Sequence, residues 1–408
     1  MGRTDVWRRA ARGPTFTFNM LNMGVAASSQ PPRSEQDSHV DTTGGSRVGL
    51  SSSFASHMLN RTSPSMQGGS PSPSAQAGDG EKRITLVFAA DDAFGMPLAV
   101  TLHSALQNLD ADWRADVYVL DGGLSADTRR RIDGVGARHN ATVTVIAPDL
   151  ARYQHSKLRT QTRFPPINYA RIHVAEYVPA GIERALYLDC DLIVEQDLSG
   201  LWTKDFEDTL VMAVQDQLIP YVSSSLGVQR WHELGLSPDT PFFNSGMMMI
   251  HLPRYRREHI GDQVFDYLVR YREQLNLYGN QEGFNAVLAT RWAPLDLRWN
   301  VIDRSYNPVQ REQIEQREGF HIPALLSQSP HIIHYTDHSK PWDPACQHPA
   351  RDRFLFYLNS SRYYTRTEWL RWRASHAARQ LLNWARRRSR PYRHKIGLRR
   401  DLFSPRPI

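Results

Sequence analysis

The chain has 408 residues, 40% of them hydrophobic, and a formal net charge of +7. Residues 361–408 contain fourteen basic residues and two acids, a net charge of +12 that leaves −5 for the rest of the chain. The length allows one large domain or two smaller ones, and the lack of any stretch of about 18 apolar residues excludes a membrane-spanning helix. The basic excess is therefore a property of the C-terminal segment and not of the core.

The N-terminal segment, residues 1–82, differs in composition from the rest of the chain. From residue 26 onwards small and polar residues dominate, as in GGSPSPSAQAGDGE, so little apolar surface can be buried and we expect disorder. Residues 1–25 contain arginines but no uninterrupted apolar core, which argues against a secretory signal peptide. They are compatible with an organellar transit peptide or with a start codon assigned too far upstream.

Strand and helix patterns alternate from Arg83 onwards. The predicted strands are RITLVFAADD, ADVYVLDGGLS, ATVTVIAP, RALYLDCD, TLVMAVQD, NSGMMMIHL and the first part of PHIIHYTDHSKPWD. The predicted helices are MPLAVTLHSALQNL, residues 125–139, YARIHVAEYVP, IGDQVFDYLVRYREQL and a helix that begins at NQEGFNAVLA. Strands that alternate with helices indicate a mostly parallel sheet covered on both faces. We therefore predict one α/β domain over residues 83–360.

Two acids, Asp189 and Asp191, come directly after the apolar run ALYL. Ionised carboxylates are disfavoured at the end of a buried strand unless something neutralises them. Side chains at alternate positions of a strand end can approach one ion, and Mg²⁺ or Mn²⁺ prefers oxygen ligands. The pair therefore suggests half of a metal site at the ligand-binding edge of the sheet. Two solvated acids in a loop are the alternative, because a bare D-x-D pair is common.

A third ligand is available in HIIHYTDHSKPW, which contains His331, His334 and His338. His334 follows a strand-like apolar pair, and a neutral imidazole beside two carboxylates completes a plausible Mn²⁺ site. Lys340, two residues after His338, suits an anionic phosphate. Taken singly, each histidine is better explained as a hydrogen-bonded core or surface residue, and the alternative for Lys340 is a solvated surface lysine.

The two cysteines are Cys190 and Cys346. A position between paired acids is a poor one for a structural disulfide, and two unpaired thiols indicate a reducing compartment. We therefore expect a cytoplasmic protein.

Four segments together resemble glycosyltransferase family 8, which contains bacterial lipooligosaccharide galactosyl- and glucosyltransferases and glycogenin. They occur in the family's order over about residues 83–350, and they are VFAADDAFG, NYARIHVAEYVP with RALYLDCDLIVEQDLSGLW, FFNSGMMMIHL and HYTDHSKPW. The resemblance implies a GT-A fold, a single nucleotide-sugar-binding domain with a mixed, mostly parallel sheet. It also implies transfer of a sugar from a nucleotide sugar, usually UDP-linked, with retention at the anomeric carbon and with a divalent cation, typically Mn²⁺.

The resemblance implies roles for the matching residues. Asp189, Asp191 and His334 would hold the Mn²⁺ ion against the diphosphate, which Lys340 would also contact. The residues matching the family's nucleotide and donor contacts are Ala89, Asp91, Phe94 and Arg171, with Asp91 on the uracil and Phe94 stacked on it.

Three further residues match the family's catalytic centre. The resemblance places Asn244 beside the donor sugar, Gln281 under the reactive face of that sugar and Asp216 on the acceptor side. A retaining hydrolase would use a carboxylate nucleophile. The amide of Gln281 is a poor nucleophile, so we favour a same-face displacement in which the leaving phosphate takes the proton of the acceptor.

The sequence departs from the family pattern at three positions. Asp337 stands where H-Y-x-G-x-x-K-P-W has glycine, and its charge would repel a diphosphate unless it points away. Ala93 replaces a polar residue that usually meets the ribose. Asn280 replaces the first acid of D-Q-D. The choice of donor sugar and the efficiency therefore stay open, whereas the metal ligands are intact.

The C-terminal segment, residues 361–408, is predicted to be a basic amphipathic helix containing three tryptophans. One helical stripe of it contains Leu370, Ala374, Ala377, Leu381 and Trp384. Such a helix suits an anionic membrane surface, which places the protein peripherally on the inner face of the cytoplasmic membrane. Nucleic acid and packing against the domain are the alternatives, and nucleic acid is not expected.

Together these patterns predict a retaining, Mn²⁺- or Mg²⁺-dependent transferase that moves galactose or glucose from UDP-galactose or UDP-glucose. The expected acceptor is a lipopolysaccharide or another cell-surface glycan, in some cases lipid-linked. A metal-dependent nucleotidyl- or phosphotransferase would share the acid pair and the basic contacts, and a degenerate nucleotide-binding scaffold is the non-enzymatic alternative.

Overall fold

The computed structural model describes residues 81–155, 165–275 and 279–400, all within the unit Ala75–Ile408. The prediction of disorder over residues 1–82 therefore falls almost wholly outside the described residues. The strands are β1 (Lys82–Ala90), β2 (Trp113–Asp121), β3 (Thr142–Ile146), β4 (Arg184–Leu188), β5 (Leu192–Val194), β6 (Val211–Gln215), β7 (Phe243–His251), β8 (Trp292–Pro294), β9 (Val301–Ile302) and β10 (Ile332–His334). The α-helices are α1 (Gly95–Asn108), α2 (Ala126–Ala137), α3 (Ala151–His155), α4 (Ile167–Ala170), α5 (Val174–Tyr177), α6 (Ser199–Trp202), α7 (Leu252–Arg257), α8 (Ile260–Arg270), α9 (Gly279–Leu288), α10 (Pro308–Glu318), α11 (Arg351–Ser360) and α12 (Arg366–Arg400).

The larger sheet has seven strands in the order β3–β2–β1–β4–β7–β6–β8. Its neighbours pair in parallel, except that β7 is antiparallel to both β4 and β6. This confirms the prediction of a mixed, mostly parallel sheet in an α/β fold. Because β1 and β4 are adjacent and parallel, Asp91 and Asp189, which come just after them in the chain, lie at the same edge.

Strand β1 lies at the centre of the core, and residues 84–88 are buried in succession. Alternate side chains of a strand point to opposite faces. Ile84, Leu86 and Phe88 pack with the apolar side of α1, whereas Val87 packs with residues of α4 and α8. Both faces of the strand are covered, which explains its continuous apolar sequence.

The smaller sheet has three strands in the order β5–β10–β9. Strand β10 is antiparallel to β5, with His334 opposite Leu192, and the backbone N–H of Tyr335 donates to the carbonyl of Asp191 at 3.0 Å. This register places His334 directly beside the acid pair. The sequence predicted β10 but not β5 or β9, which are three and two residues long and too short to show a hydrophobic period.

Helix α12 begins with a capping box. The Thr365 hydroxyl accepts from the N–H of Glu368 at 3.3 Å, and the Glu368 carboxylate accepts from the N–H of Thr365 at 2.8 Å. Glu368 also pairs with Arg131 of α2 at 2.8 Å, which fixes the start of the helix on the domain. The prediction of a helical C-terminal segment is confirmed.

The first turns of α12 present two different faces. The half-buried rings of Trp369 and Trp372 stack at 5.3 Å and pack against the cluster that contains Phe354. The predicted apolar stripe lies on another face, and Leu370 and Leu381 are 56% and 66% exposed. Within the three described ranges, no helix combines the length and apolarity needed to cross a bilayer.

Candidate active site

A cleft of about 350 Å³ lies at the carboxyl edge of β1 and β4. The residues to which the family resemblance gave a role all line it: Ala89, Asp91, Phe94, Arg171, Asp189, Asp191, Asp216, Asn244, Gln281, His334 and Lys340. The fold thus brings together residues that are far apart in the chain. Their individual roles stay predictions.

Three possible metal ligands converge in this cleft. One donor atom each from Asp189, Asp191 and His334 lies within 4.8 Å of the others, and His334 Nε2 is 3.3 Å from Asp191 Oδ1. Two carboxylates and one imidazole are a donor set that suits Mn²⁺ or Mg²⁺. The residues therefore fit a divalent cation.

Lys340 compensates the charge of Asp191. Its Nζ donates to Asp191 Oδ2 at 2.8 Å, although the two residues are 149 positions apart in the sequence. Burial opposes ionisation of Asp191, but Lys340 and His334 outweigh it and hold the pKa of this carboxyl well below its ordinary range. Burial likewise lowers the pKa of Lys340, and Asp191 reverses this effect, so that the net shift is upward. Asp191 is therefore an anion that the protein already balances with one cation.

Asp189 is held by two donors on one of its oxygens. Arg171 Nη1 and the Tyr187 hydroxyl donate to Oδ1 at 2.9 and 3.0 Å. Burial opposes the charge of Arg171, but Asp189 and its neighbours raise the pKa of the guanidinium above its ordinary value. Because Oδ1 is engaged by these donors, Oδ2 is the oxygen left to face His334.

Gly246 of β7 makes the approach of these ligands possible. A Cβ atom at this position would lie 2.4 Å from His334 Cε1 and 2.9 Å from Asp189 Oδ2. These separations are shorter than van der Waals contact. The glycine is therefore a requirement of the ligand geometry, and the sequence analysis did not assign it a role.

A network of amides lines the opposite wall of the cleft. Asp216 Oδ2 accepts from the side-chain amides of Asn244 at 2.8 Å and Gln281 at 3.0 Å. Asp216 Oδ1 accepts from the backbone N–H groups of Leu218 and Ile219 at 2.8 and 2.9 Å. Since both oxygens already accept two hydrogen bonds, Asp216 is better suited to holding the two amides than to acting as a nucleophile or base.

The predicted nucleotide contacts surround the first turn after β1. Asp91 Oδ1 accepts from the backbone N–H of Phe94 at 3.1 Å, and the ring of Phe94 meets that of Trp342 edge to face at 5.8 Å. Beside them, the thiol of Cys190 points into the core and donates to the Ala89 carbonyl at 3.4 Å. These contacts fix the position of Phe94 beside Asp91, and both residues line the cleft.

Asp337, the residue that stands in place of glycine, is neutralised within the protein. Its carboxylate is 3.2 Å from Arg304, and its backbone N–H donates to Asp303 at 2.9 Å. Arg304 lines the cleft as well, and the sequence analysis did not identify it. The expected repulsion of a diphosphate is thus offset by a neighbouring cation. Asn280 donates to the backbone carbonyl of Asn168 at 3.1 Å.

The other two candidate histidines do not line the cleft. His331 packs edge to face against Trp299, with ring centroids 4.6 Å apart, and His338 is exposed. A second cluster of possible ligands, formed by His173, Glu176 and Asp262, lies elsewhere. Its two carboxylates both pair with the same guanidinium, that of Arg152. That cluster therefore already holds one cation, the guanidinium of Arg152.

Asn300 is the main polar residue that the sequence analysis missed. It is fully buried, and its amide contacts His334 at 2.8 Å and Asn244 at 3.0 Å. These partners lie 34 and 56 positions away, so no local pattern marks the residue.

Comparison with known proteins identifies the family of the chain. The model of glycosyl transferase family 8 matches residues 85–346. General stress protein A of Bacillus subtilis is 26% identical over 69% of this chain and 94% of its own, and a putative glycosyltransferase of Haemophilus influenzae is 22% identical over 65% and 74%. In the crystal structure of the galactosyltransferase LgtC with donor and acceptor sugar analogues, 96% of that chain superposes on 68% of this one, with a TM-score of 0.54 and 24% identity.

The apo structure of the bifunctional glycosyltransferase WbbM also matches, with a TM-score of 0.54 and 18% identity over 69% of this chain and 50% of that one. At these identities the structural matches establish the fold, which is GT-A. The family model spans more than half of the chain. The protein therefore belongs to glycosyltransferase family 8.

Proposed function

We propose that the protein is a retaining hexosyltransferase that transfers galactose or glucose from UDP-galactose or UDP-glucose to a glycan. The acceptor we propose is a lipopolysaccharide or another cell-surface glycan. The observation that carries the proposal is the convergence of Asp189, Asp191 and His334 in one cleft with Lys340 and Gln281. Family membership supports the reaction class, because enzymes of this family use nucleotide sugars and often need a metal.

Asp189, Asp191 and His334 would hold Mn²⁺ or Mg²⁺. When bound, the ion would stabilise the negative charge that develops on the diphosphate as the sugar–phosphate bond breaks. Lys340 lies beside Asp191 and supplies a second positive charge to the same phosphate oxygens. Both carboxylates of the site already accept from cations of the protein, Asp189 from Arg171 and Asp191 from Lys340.

The reactive face of the donor sugar would lie over Gln281. Both ends of this amide are engaged, because its oxygen accepts from the N–H of Ser245 at 3.1 Å and its nitrogen donates to Asp216 at 3.0 Å. A side chain held in this way can orient the sugar but is a poor nucleophile. We therefore propose a same-face displacement in which a leaving phosphate oxygen accepts the proton of the acceptor hydroxyl. A covalent glycosyl adduct on Gln281 or Asp216, detected by mass spectrometry, would contradict this mechanism.

The donor end of the cleft would bind the nucleotide. In this proposal Phe94 stacks on the uracil and Asp91 accepts from it, while Arg171 orients Asp189 beside the diphosphate. Ala89 lines the same cleft.

Release of UDP from a panel of UDP-sugars with Mn²⁺ is the direct test. We expect release from UDP-galactose or UDP-glucose, its loss on chelation, and its loss in Asp191→Asn. Asn244→Ala should also abolish turnover of the sugar donor, whereas a nucleotidyl- or phosphotransferase would tolerate it. Failure of every UDP-sugar to release UDP in the presence of Mn²⁺ would refute the proposal and favour a nucleotide-binding scaffold.

We also propose that α12 attaches the enzyme to an anionic membrane surface on the cytoplasmic side. Leu370 and Leu381 are exposed on one face, and each basic residue near anionic lipid contributes about 1 kcal/mol. Flotation with vesicles containing phosphatidylglycerol tests this directly. Leu370→Glu with Leu381→Glu should abolish flotation, and Leu325→Glu, at a position 68% exposed outside this helix, is the matched control. Equal flotation of all three proteins would refute the attachment.

A further inference from the structure

Asn300 connects the metal-ligand side of the cleft with the amide side. It ends the turn Leu297–Asn300 and is 0% exposed. Its Oδ1 lies 2.8 Å from His334 Nδ1, and its Nδ2 lies 3.0 Å from Asn244 Oδ1. A buried amide with two such partners has an orientation that can be deduced from their chemistry.

The orientation of Asn244 is fixed from two sides. Its Oδ1 accepts from the backbone N–H of Gly246 at 2.9 Å, a group that can only donate. Its Nδ2 faces Asp216 Oδ2 at 2.8 Å, and an ionised carboxylate can only accept. Reversing this amide would create a donor–donor contact at Gly246 and an acceptor–acceptor contact at Asp216.

Asn244 in turn determines the orientation of Asn300. Because Asn244 presents an oxygen to it, Asn300 must turn its NH₂ group in that direction and its oxygen towards His334. A carbonyl oxygen can only accept, so His334 Nδ1 must carry a proton and donate it. His334 Nε2, which faces Asp191 at 3.3 Å, is then the ring nitrogen available to an ion.

We propose that Asn300 is a positioning residue for the metal ion. It holds a proton on His334 Nδ1, and Asn244 and Asp216 fix its own amide for that purpose. This inference rests on the proposed function only in identifying His334 as a ligand. Hydrogen-bond partners of this kind typically change metal affinity by about 10–100-fold when they are removed.

Two variants separate positioning from packing. Asn300→Leu keeps a similar shape and removes the acceptor for His334. Asn300→Asp keeps the acceptor for His334, removes the donor towards Asn244 and adds a buried carboxylate. Positioning predicts that Asn300→Leu loses the Nδ1 proton preference and binds Mn²⁺ about 10–100-fold more weakly, while Asn300→Asp stays within a few-fold of the wild type. If Asn300 acts only by packing, Asn300→Asp should weaken Mn²⁺ binding more than Asn300→Leu does, because a buried carboxylate is the less tolerated change.

The two readouts are the ¹⁵N signals of the His334 ring in the metal-free protein, assigned by comparison with His334→Gln, and Mn²⁺ affinity by electron paramagnetic resonance. Asn108→Leu is the control for loss of a hydrogen-bonded amide, at a half-buried position. Asn108 donates to two backbone carbonyls and to the Tyr357 hydroxyl at 2.8–2.9 Å, outside the cleft, and this variant should keep wild-type Mn²⁺ affinity.

The outcomes for the inference and for the proposed function are distinct. An unprotonated His334 Nδ1 in the wild type overturns the inference whatever the metal result. If the wild type binds Mn²⁺ and Asn300→Leu binds it with equal affinity, the inference about Asn300 is overturned as well, but the proposed metal site is not contradicted. Absence of Mn²⁺ binding by the wild type would refute the metal site and with it the positioning of an ion, whereas a protonated Nδ1 that is lost in Asn300→Leu would still show that Asn300 sets the tautomer of His334.

Discussion

Gly246→Ala tests whether the ligand geometry depends on a missing side chain. Its added Cβ would lie 2.4 Å from His334 Cε1, whereas carbon atoms pack best at about 3.5–4.0 Å, so a displacement of about 1 Å is required. The His334 ring has little room to retreat, because it is buried and its other side is bonded to Asn300. Gly246 does not lie in the left-handed region, so the substitution tests steric contact alone.

The expected cost has two parts. Overpacking a well-filled site costs about 1–3 kcal/mol of unfolding free energy, which urea unfolding measures. A ligand displaced by about 1 Å should weaken Mn²⁺ binding at least about 10-fold and lower turnover by about 100-fold. Gly134→Ala is the matched control, because its Cβ would meet only Arg138 at 3.7 Å, and it should stabilise α2 by about 0.5–1 kcal/mol. Wild-type stability and Mn²⁺ affinity in Gly246→Ala would refute the reasoning.

Three further predictions concern charge. Burial, with His139 and Arg138, lowers the pKa of His103 to about 4 from 6.5, so the unfolded chain takes up a proton first as the pH falls. The wild type should lose about 2 kcal/mol of unfolding free energy from this group between pH 7.5 and 5. In urea unfolding, the unfolding free energy of His103→Gln should therefore depend less on pH than that of the wild type, and an equal pH dependence would contradict this. Lys340→Met should lower kcat about 100-fold while UDP release still requires Mn²⁺, and an unchanged kcat would remove Lys340 from the diphosphate site. Asp337→Asn removes a half-exposed partner of Arg304, so the unfolding free energy should change by less than about 1 kcal/mol while KM for the UDP-sugar falls; a raised KM would show that the carboxylate helps binding.

The sequence was sufficient for the elements that carry long periodic patterns. The apolar runs of β1, β4, β6 and β7 were predicted, and so were the acids at the ends of β1 and β4. An apolar run followed by acids marks a strand end locally, because burial and charge change within a few residues. The family resemblance then identified the cleft residues that no local pattern could connect.

The remaining features depend on contacts between distant segments. Asn300 is one buried asparagine among several, and only the positions of His334 and Asn244 show that its amide links them. Gly246 belongs to the segment FFNSGMMMIHL, but a side chain is excluded there because His334, from a distant part of the chain, packs directly against it. Arg304 lies just after a strand of two residues, which is too short to predict. Tertiary proximity, not local propensity, determines all three.

The pairing of β5 with β10 has a consequence for how the protein is made. Asp191 precedes β5, but His334 joins it only when β10 aligns with β5 in the observed register. A shift of one residue would turn His334 to the opposite face and place Ile333 or Tyr335 opposite Leu192 instead. A nascent chain therefore cannot complete the proposed metal site until residue 334 has left the ribosome and β10 has docked on β5. Tight metal binding would thus appear as a late, all-or-none event during synthesis, and it marks a chain that has folded through to β10.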